Sequence, residues 1–173
     1  MHRSLTILAA ATAALLAGGS ANAPRPTGEQ QALISAAVVY NIARFSSWPD
    51  DPGARFFEVC YTSETMGEAF ATIAGKEVGG LPVRPVMVEG AGMPQRRCHV
   101  LFTEAKPDER VLSEAIARGT LTIGRSERFL RRGGAVRLRI DTKPRFSVNV
   151  AAAHAAGVRP SSKLLRLAEE VME

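Results

Sequence analysis

Ile34, Val38, Ile42 and Phe45 recur along one helical face, supported by Leu33, Ala37 and Tyr40, and predict a first helix. Thr27-Gly28-Glu29-Gln30 ahead of them has capping-box spacing, with Thr27 as N-cap and Gln30 three residues on. Pro49 disfavours helical geometry at Trp48, so this helix ends near Ser46-Ser47. Asp50-Asp51-Pro52-Gly53 then reads as a turn. The pattern next condenses into a run, Arg55 to Tyr61, apolar on both faces apart from Glu58 and therefore a central strand. Thr65-Met66-Gly67-Glu68 offers a second capping box, followed by Met66, Ala69, Phe70 and Ile73 at helical spacing, with Gly75 placed to end the helix.

Val83 to Val88 is a second strand, demoted to a sheet edge because Pro82 and Pro85 each lack a ladder donor. Cys98-His99-Val100-Leu101-Phe102-Thr103 is the third strand, Asp108 to Ala117 a helix, and Thr120 to Ile123 the fourth strand. A short helix from Glu127 to Leu130 runs into Gly133-Gly134. Ala135 to Ile140 and Arg145 to Val150, joined by Asp141-Thr142-Lys143-Pro144, have hairpin spacing. A helix from about Asn149 to Ala156 ends at Gly157, and Pro160-Ser161-Ser162 starts a last helix carrying Leu164, Leu165, Leu167, Ala168 and Val171.

Strand alternating with helix implies an α/β fold with right-handed crossovers. The expectation is a three-layer sandwich with a largely parallel five- or six-stranded sheet and an antiparallel C-terminal hairpin. The Cys60 and Cys98 strands lie side by side at its centre and the Pro85 strand outside them.

The N-terminus departs from this globular pattern. Met1-His2-Arg3 is basic, Leu5 to Ala17 is an uncharged apolar run, and Ala21-Asn22-Ala23 fits a signal-peptidase site. Thirteen residues fall short of the ~20 that span a bilayer. Residues 1–23 are thus expected to be a signal peptide and 24–173 a single soluble α/β domain outside the cytoplasm. In an oxidising compartment two cysteines, Cys60 and Cys98, on two core strands point to one structural disulfide. A buried free pair and a metal site are the alternatives. The placement is awkward, because Cys60 closes its strand and Cys98 opens its own, whereas a bridge needs Cα atoms within about 7 Å. Either a strand boundary or the register must differ from this reading.

The net charge of +5 is unevenly spread: Arg125 to Arg145 holds seven arginines and Lys143 against Glu127 and Asp141. For an exported chain this disfavours nucleic acid and leaves anionic lipid, an acidic protein surface or a merely solvated face. Catalytic chemistry finds no constellation. There is no Cys-x-x-Cys, no Gly-x-Ser-x-Gly and no Gly-x-Gly-x-x-Gly, and His99 and His154 have no companions at zinc-site spacing. No catalytic residue, metal or cofactor is expected. His99 reads as a satisfied core residue. Arg44, Trp48 and Arg145 are the candidates for a partner or ligand surface, with Trp48 equally able to plug the core where the first helix ends. At the carboxyl ends of the strands, Thr62, Ser63 and Arg125 offer a place for a small anion.

Tyr40-Asn41-Ile42-Ala43-Arg44-Phe45-Ser46-Ser47-Trp48-Pro49 resembles the opening signature of the YfiR family of periplasmic proteins. Cys98-His99-Val100-Leu101-Phe102 is similar to that family's cysteine-histidine strand, and Cys60 sits where it carries its other strand cysteine. Gly133-Gly134, Arg145-Phe146-Ser147-Val148-Asn149 and Gly157-Val158-Arg159-Pro160-Ser161-Ser162-Lys163-Leu164-Leu165 follow in the family's order. The resemblance spans about residues 30 to 172 and departs at Arg125-Ser126 and in the single cysteine pair. It implies a non-catalytic, periplasmic regulator that binds the sensor domain of a membrane-bound diguanylate cyclase, represses it and releases it according to redox state. A sensor kinase is the alternative partner, and the resemblance favours a dimer. The competing reading is a periplasmic binding domain for an anionic or aromatic small molecule.

Overall fold

The computed structural model describes residues 24–89 and 97–173. The expected signal peptide, residues 1–23, lies outside the described residues. Helix α1, Gly28–Arg44, starts with the expected reciprocal cap: the Thr27 hydroxyl accepts from the Gln30 amide and the Gln30 side chain from the Thr27 amide. Its buried face is rotated from the expected one. Ala32, Ser35, Ala36, Val39, Ile42 and Ala43 are buried, whereas Leu33 and Ala37 are exposed and Ile34 and Val38 half-buried. Small side chains let the helix approach the sheet more closely than larger apolar residues would. Ser35 is tolerated there because its hydroxyl donates to the Gln31 carbonyl at 2.7 Å.

Strand β1 (Ser46–Ser47) follows, then β2 (Phe57–Tyr61) and a 3-10 turn, Glu64–Met66, leading into α2 (Gly67–Ala71). Thr65 does not cap this helix; its hydroxyl meets Ser63 and Glu104 instead. Met66, Ala69, Phe70 and Ile73 are buried as their spacing requires. Gly79 and Gly80, both at positive φ, form the two-residue turn between β3 (Glu77–Val78) and β4 (Leu81–Met87). The remaining elements are β5 (Val100–Thr103), α3 (Glu109–Ala117), β6 (Leu121–Gly124), a 3-10 turn (Leu130–Arg132), β7 (Val136–Ile140), β8 (Pro144–Asn149), α4 (Val150–Ala155), β9 (Arg159–Pro160), α5 (Ser162–Leu165) and β10 (Glu170–Met172).

The main sheet runs β10-β8-β7-β6-β5-β2-β4-β3, with β4, β2, β5, β6 and β7 parallel to one another. β7 and β8 form the expected antiparallel hairpin. Eight strands replace the five or six expected, the additions being the short edge strands β3 and β10. β1 and β9 pair separately. Pro85 sits where its missing N–H costs nothing. Val83 directs its amide and carbonyl outward to Lys76 and Gly75, so Pro85, two residues on, turns its nitrogen to the same outer side.

The last predicted helix is the largest departure. Only Ser162–Leu165 is α-helical, and Glu169 then donates its amide to the Phe146 carbonyl at 2.8 Å, starting β10 along β8. The apolar spacing of Leu164 to Val171 fits a helix, but the unpaired edge of β8 captures the backbone instead, leaving Leu167 67% exposed.

Alternation divides the apolar load. Phe57, Val59, Tyr61, Val100, Phe102, Leu121 and Ile123 join α1 and α2 in the main core. Cys60, Leu101, Val88 and Cys98 form a small second cluster, and Leu112, Phe129 and Leu130 a third.

Candidate functional site

The first cluster of interest surrounds the two cysteines. Cys60 and Cys98 are bonded, with Cα atoms 5.8 Å apart, and both are buried. The strand boundary resolves the awkward placement. β5 begins at Val100, not Cys98, and a bend at His99 lets Cys98 fold back over the sheet toward Cys60.

That bend places His99 beside the residues that follow α1. The Trp48 indole N–H donates to the Ala43 carbonyl at 2.8 Å, which ties the loop to the helix end. Its ring meets Phe57 edge-on with centroids 4.8 Å apart, and Phe57 stacks on His99 at 4.5 Å. His99 Nδ1 accepts from the Glu58 amide at 3.0 Å, so in the neutral ring the proton lies on Nε2, which faces Asp51 at 3.8 Å. Asp51 is itself paired with Arg97 at 3.0 Å. Burial pushes the His99 pKa below the usual histidine range and the Arg97 charge adds to this, while Asp51 and Glu58 oppose it. A cleft of about 660 Å³ opens here, walled by Trp48, Phe57, His99, Val78 and Leu81, with Asp50 and Asp51 on its rim.

His99 supplies a pH-dependent prediction. Protonation would remove the acceptor that the Glu58 amide uses. Because the folded-state pKa is lowered, the unfolded chain binds the proton first as pH falls below about 6.5. Stability from this site is therefore full above that value and is lost as pH drops toward the folded-state pKa. Urea midpoints between about pH 8 and pH 5 are expected to fall more steeply for the wild type than for His99→Gln. Equal slopes would remove His99 as the cause.

The structure does not gather the three expected surface residues. Trp48 lines the cleft, but neither Arg44 nor Arg145 does. Arg44 is exposed on the last turn of α1, with its guanidinium 5.8 Å from the Phe45 ring, which Lys163 also meets at 5.2 Å. Arg145 belongs to β8 and pairs with Glu169 at 2.9 Å, as does Arg139. The hydrogen bond from Arg145 holds the Glu169 carboxyl below its usual pKa, with the Arg139 charge assisting. Glu169 thereby fastens the start of β10 to the hairpin.

The arginine-rich stretch is also less free than its composition implies. Arg125 is committed to Glu104 at 3.0 Å and Gln31 at 2.6 Å, and Arg132 to the Pro107 carbonyl at 3.1 Å. Thr62 contacts Thr103 and Ser63 contacts Thr65. The small-anion arrangement expected at the strand ends is therefore closed by internal bonds. Sequence reasoning treated Asp51 only as a turn residue and His99 only as core. The run Trp48-Pro49-Asp50-Asp51 placed carboxylates next to the single tryptophan, and that was the available signal.

Among the described residues no group of three or more His, Cys, Asp or Glu converges as a metal site, and no helix is long and apolar enough to cross a membrane. A comparison with curated proteins finds no match. A family profile described as YfiR/HmsC-like matches residues 32–169, which include α1 from Ala32 onward, the disulfide and the strands from β2 to β9. The chain belongs to the YfiR/HmsC-like family.

Proposed function

We propose that this chain is an exported, non-catalytic regulator that binds the periplasmic sensor domain of a membrane-bound diguanylate cyclase and represses it. Family membership over residues 32–169 carries the reading, since the family is associated with periplasmic control of such cyclases. The buried Cys60–Cys98 bridge suits a protein that works in an oxidising compartment, and its reduction is the proposed route to release. The proposed partner surface is the cleft with an aromatic wall beside the family's tryptophan-proline signature. The same cleft supports the second reading, a small-molecule binding domain. Its acidic rim does not favour an anionic ligand.

Tagged protein expressed with its own leader is expected to co-purify the cyclase from detergent-solubilised membranes, and its deletion to raise cellular cyclic-di-GMP. Capture of no cyclase, together with a large thermal shift from a metabolite, would replace this function with the second reading. Trp48, which lines the cleft, and Arg44, exposed on the last turn of α1, are the proposed contacts. Trp48→Ala is expected to weaken capture by about 30-fold, the scale of a buried aromatic anchor, and Arg44→Ala by less. Circular dichroism must show both variants folded. Full capture by both would move the surface to the Arg139–Arg145 hairpin.

A further inference from the structure

The cleft beside Trp48 has a definite chemical polarity. Its walls are largely apolar and aromatic, Asp50 and Asp51 also line it, and among the described residues no Lys or Arg does. This holds in a chain with a net charge of +5. Asp51 spends part of its charge on Arg97, but Asp50 has no ion pair among the described residues. Ser46 and Ser47 add hydroxyls along one side. His99 contributes no positive charge near neutrality, because burial holds it in the neutral form. A carboxylate or phosphate placed here would meet two carboxylates, only one of them paired with a cation, Arg97. A guanidinium or ammonium would meet aromatic ring surface and carboxylates together, which is the environment that stabilises a partly desolvated cation.

We infer that the cleft is a socket for an arginine or lysine side chain on an extended basic segment of the partner protein. The inference rests on the proposed partner-binding function and specifies the chemistry of the partner's docking segment. The aliphatic stem of the inserted side chain lies along Val78 and Leu81 and its charged head reaches Asp50 and Asp51. Neighbouring residues of the segment cross the two serines. Docking there covers Trp48, so the indole reports occupancy directly.

Trp48 is the only tryptophan, and its emission is therefore a local probe. The probes are acetyl-Ala-Arg-Leu-Arg-Ala-amide, the same peptide with Glu for Arg, and spermidine, each titrated into the mature protein. The arginine peptide is expected to shift Trp48 emission saturably, with affinity falling about tenfold in Asp50→Asn and falling again in about 0.5 M salt. Ser47→Lys, which places a competing cation at an exposed position of the cleft, is expected to abolish the shift. The glutamate peptide should leave the emission unchanged.

Equal responses to both peptides, or none to the arginine peptide, would overturn the inference. Spermidine binding as tightly as the peptide would overturn it in favour of a small-cation site. Emission that changes with protein concentration alone would overturn it in favour of a second copy of the chain. Cyclase capture undiminished in Asp50→Asn and Ser47→Lys would sink the socket while leaving the regulatory function standing. Carboxylate-dependent peptide binding without any cyclase capture would do the reverse.

Discussion

Cys60→Ala combined with Cys98→Ala is expected to lower stability by about 4 kcal/mol, the closure entropy of a loop of this length. The bridge spans 38 residues and ties the end of β2 to the segment that enters β5. A loss of that size is a large part of the ~5–15 kcal/mol that holds a domain together. Melting temperature should fall by tens of degrees at most, proteolysis should accelerate, and dithiothreitol should add nothing further in the double variant. The bend at His99 lies next to Cys98, so the same change should loosen the wall of the Trp48 cleft. Weaker repression accompanying the lower melting temperature would make the bridge a switch acting through stability. Unchanged repression with lowered stability would make it a staple only, and the redox reading would fall. Weaker repression at unchanged melting temperature would place the cysteines at the partner surface, which their burial opposes.

Features set by local chemistry were legible in the sequence, and features set by competition were not. The capping box at Thr27 and the hairpin at Asp141 each depend on a few adjacent residues, as does the place of Pro85 outside the ladder, although β3 and not the Pro85 strand is outermost. The helical pattern of Leu164 to Val171 depends on what else the backbone can pair with, and β8 outbid it. The orientation of α1 was misread because periodicity weights the large residues Ile34 and Val38. Close packing favoured the small face of Ala32, Ala36 and Ala43. At the site, Trp48 could be singled out because it is unique. Its companions come from separate places: Phe57 on β2, Leu81 on β4 and His99 ahead of β5. No spacing rule joins those positions. The arginine count misled for a related reason, since Glu104 and Glu169, which neutralise Arg125 and the hairpin, lie 21 and 24 residues from Arg125 and Arg145.

The second large effect is expected at Phe129, where the 3-10 turn meets β6 and β7. Its ring is fully buried and lies between Gly124 and Gly134. A Cβ added at Gly124 would fall 2.2 Å from the ring, and one at Gly134 also 2.2 Å. Neither glycine has positive φ, so both are present for space and not for backbone freedom. Phe129→Ala removes the plug of the third cluster and is expected to cost about 3–5 kcal/mol. Gly124→Ala forces the ring toward Gly134, which leaves no space for it to move, and should cost about 1–3 kcal/mol or more. The two changes should not add. With the ring gone, the methyl at position 124 enters empty space, so Gly124→Ala in the Phe129→Ala background should be nearly silent. The consequence reaches the strand ends, because Gly124 precedes Arg125, whose guanidinium joins Glu104 to Gln31 of α1. Chemical denaturation of the four proteins of this cycle measures the coupling. Additive losses would mean that β6 shifts to accept the methyl and that the glycine slot does not hold the turn in place.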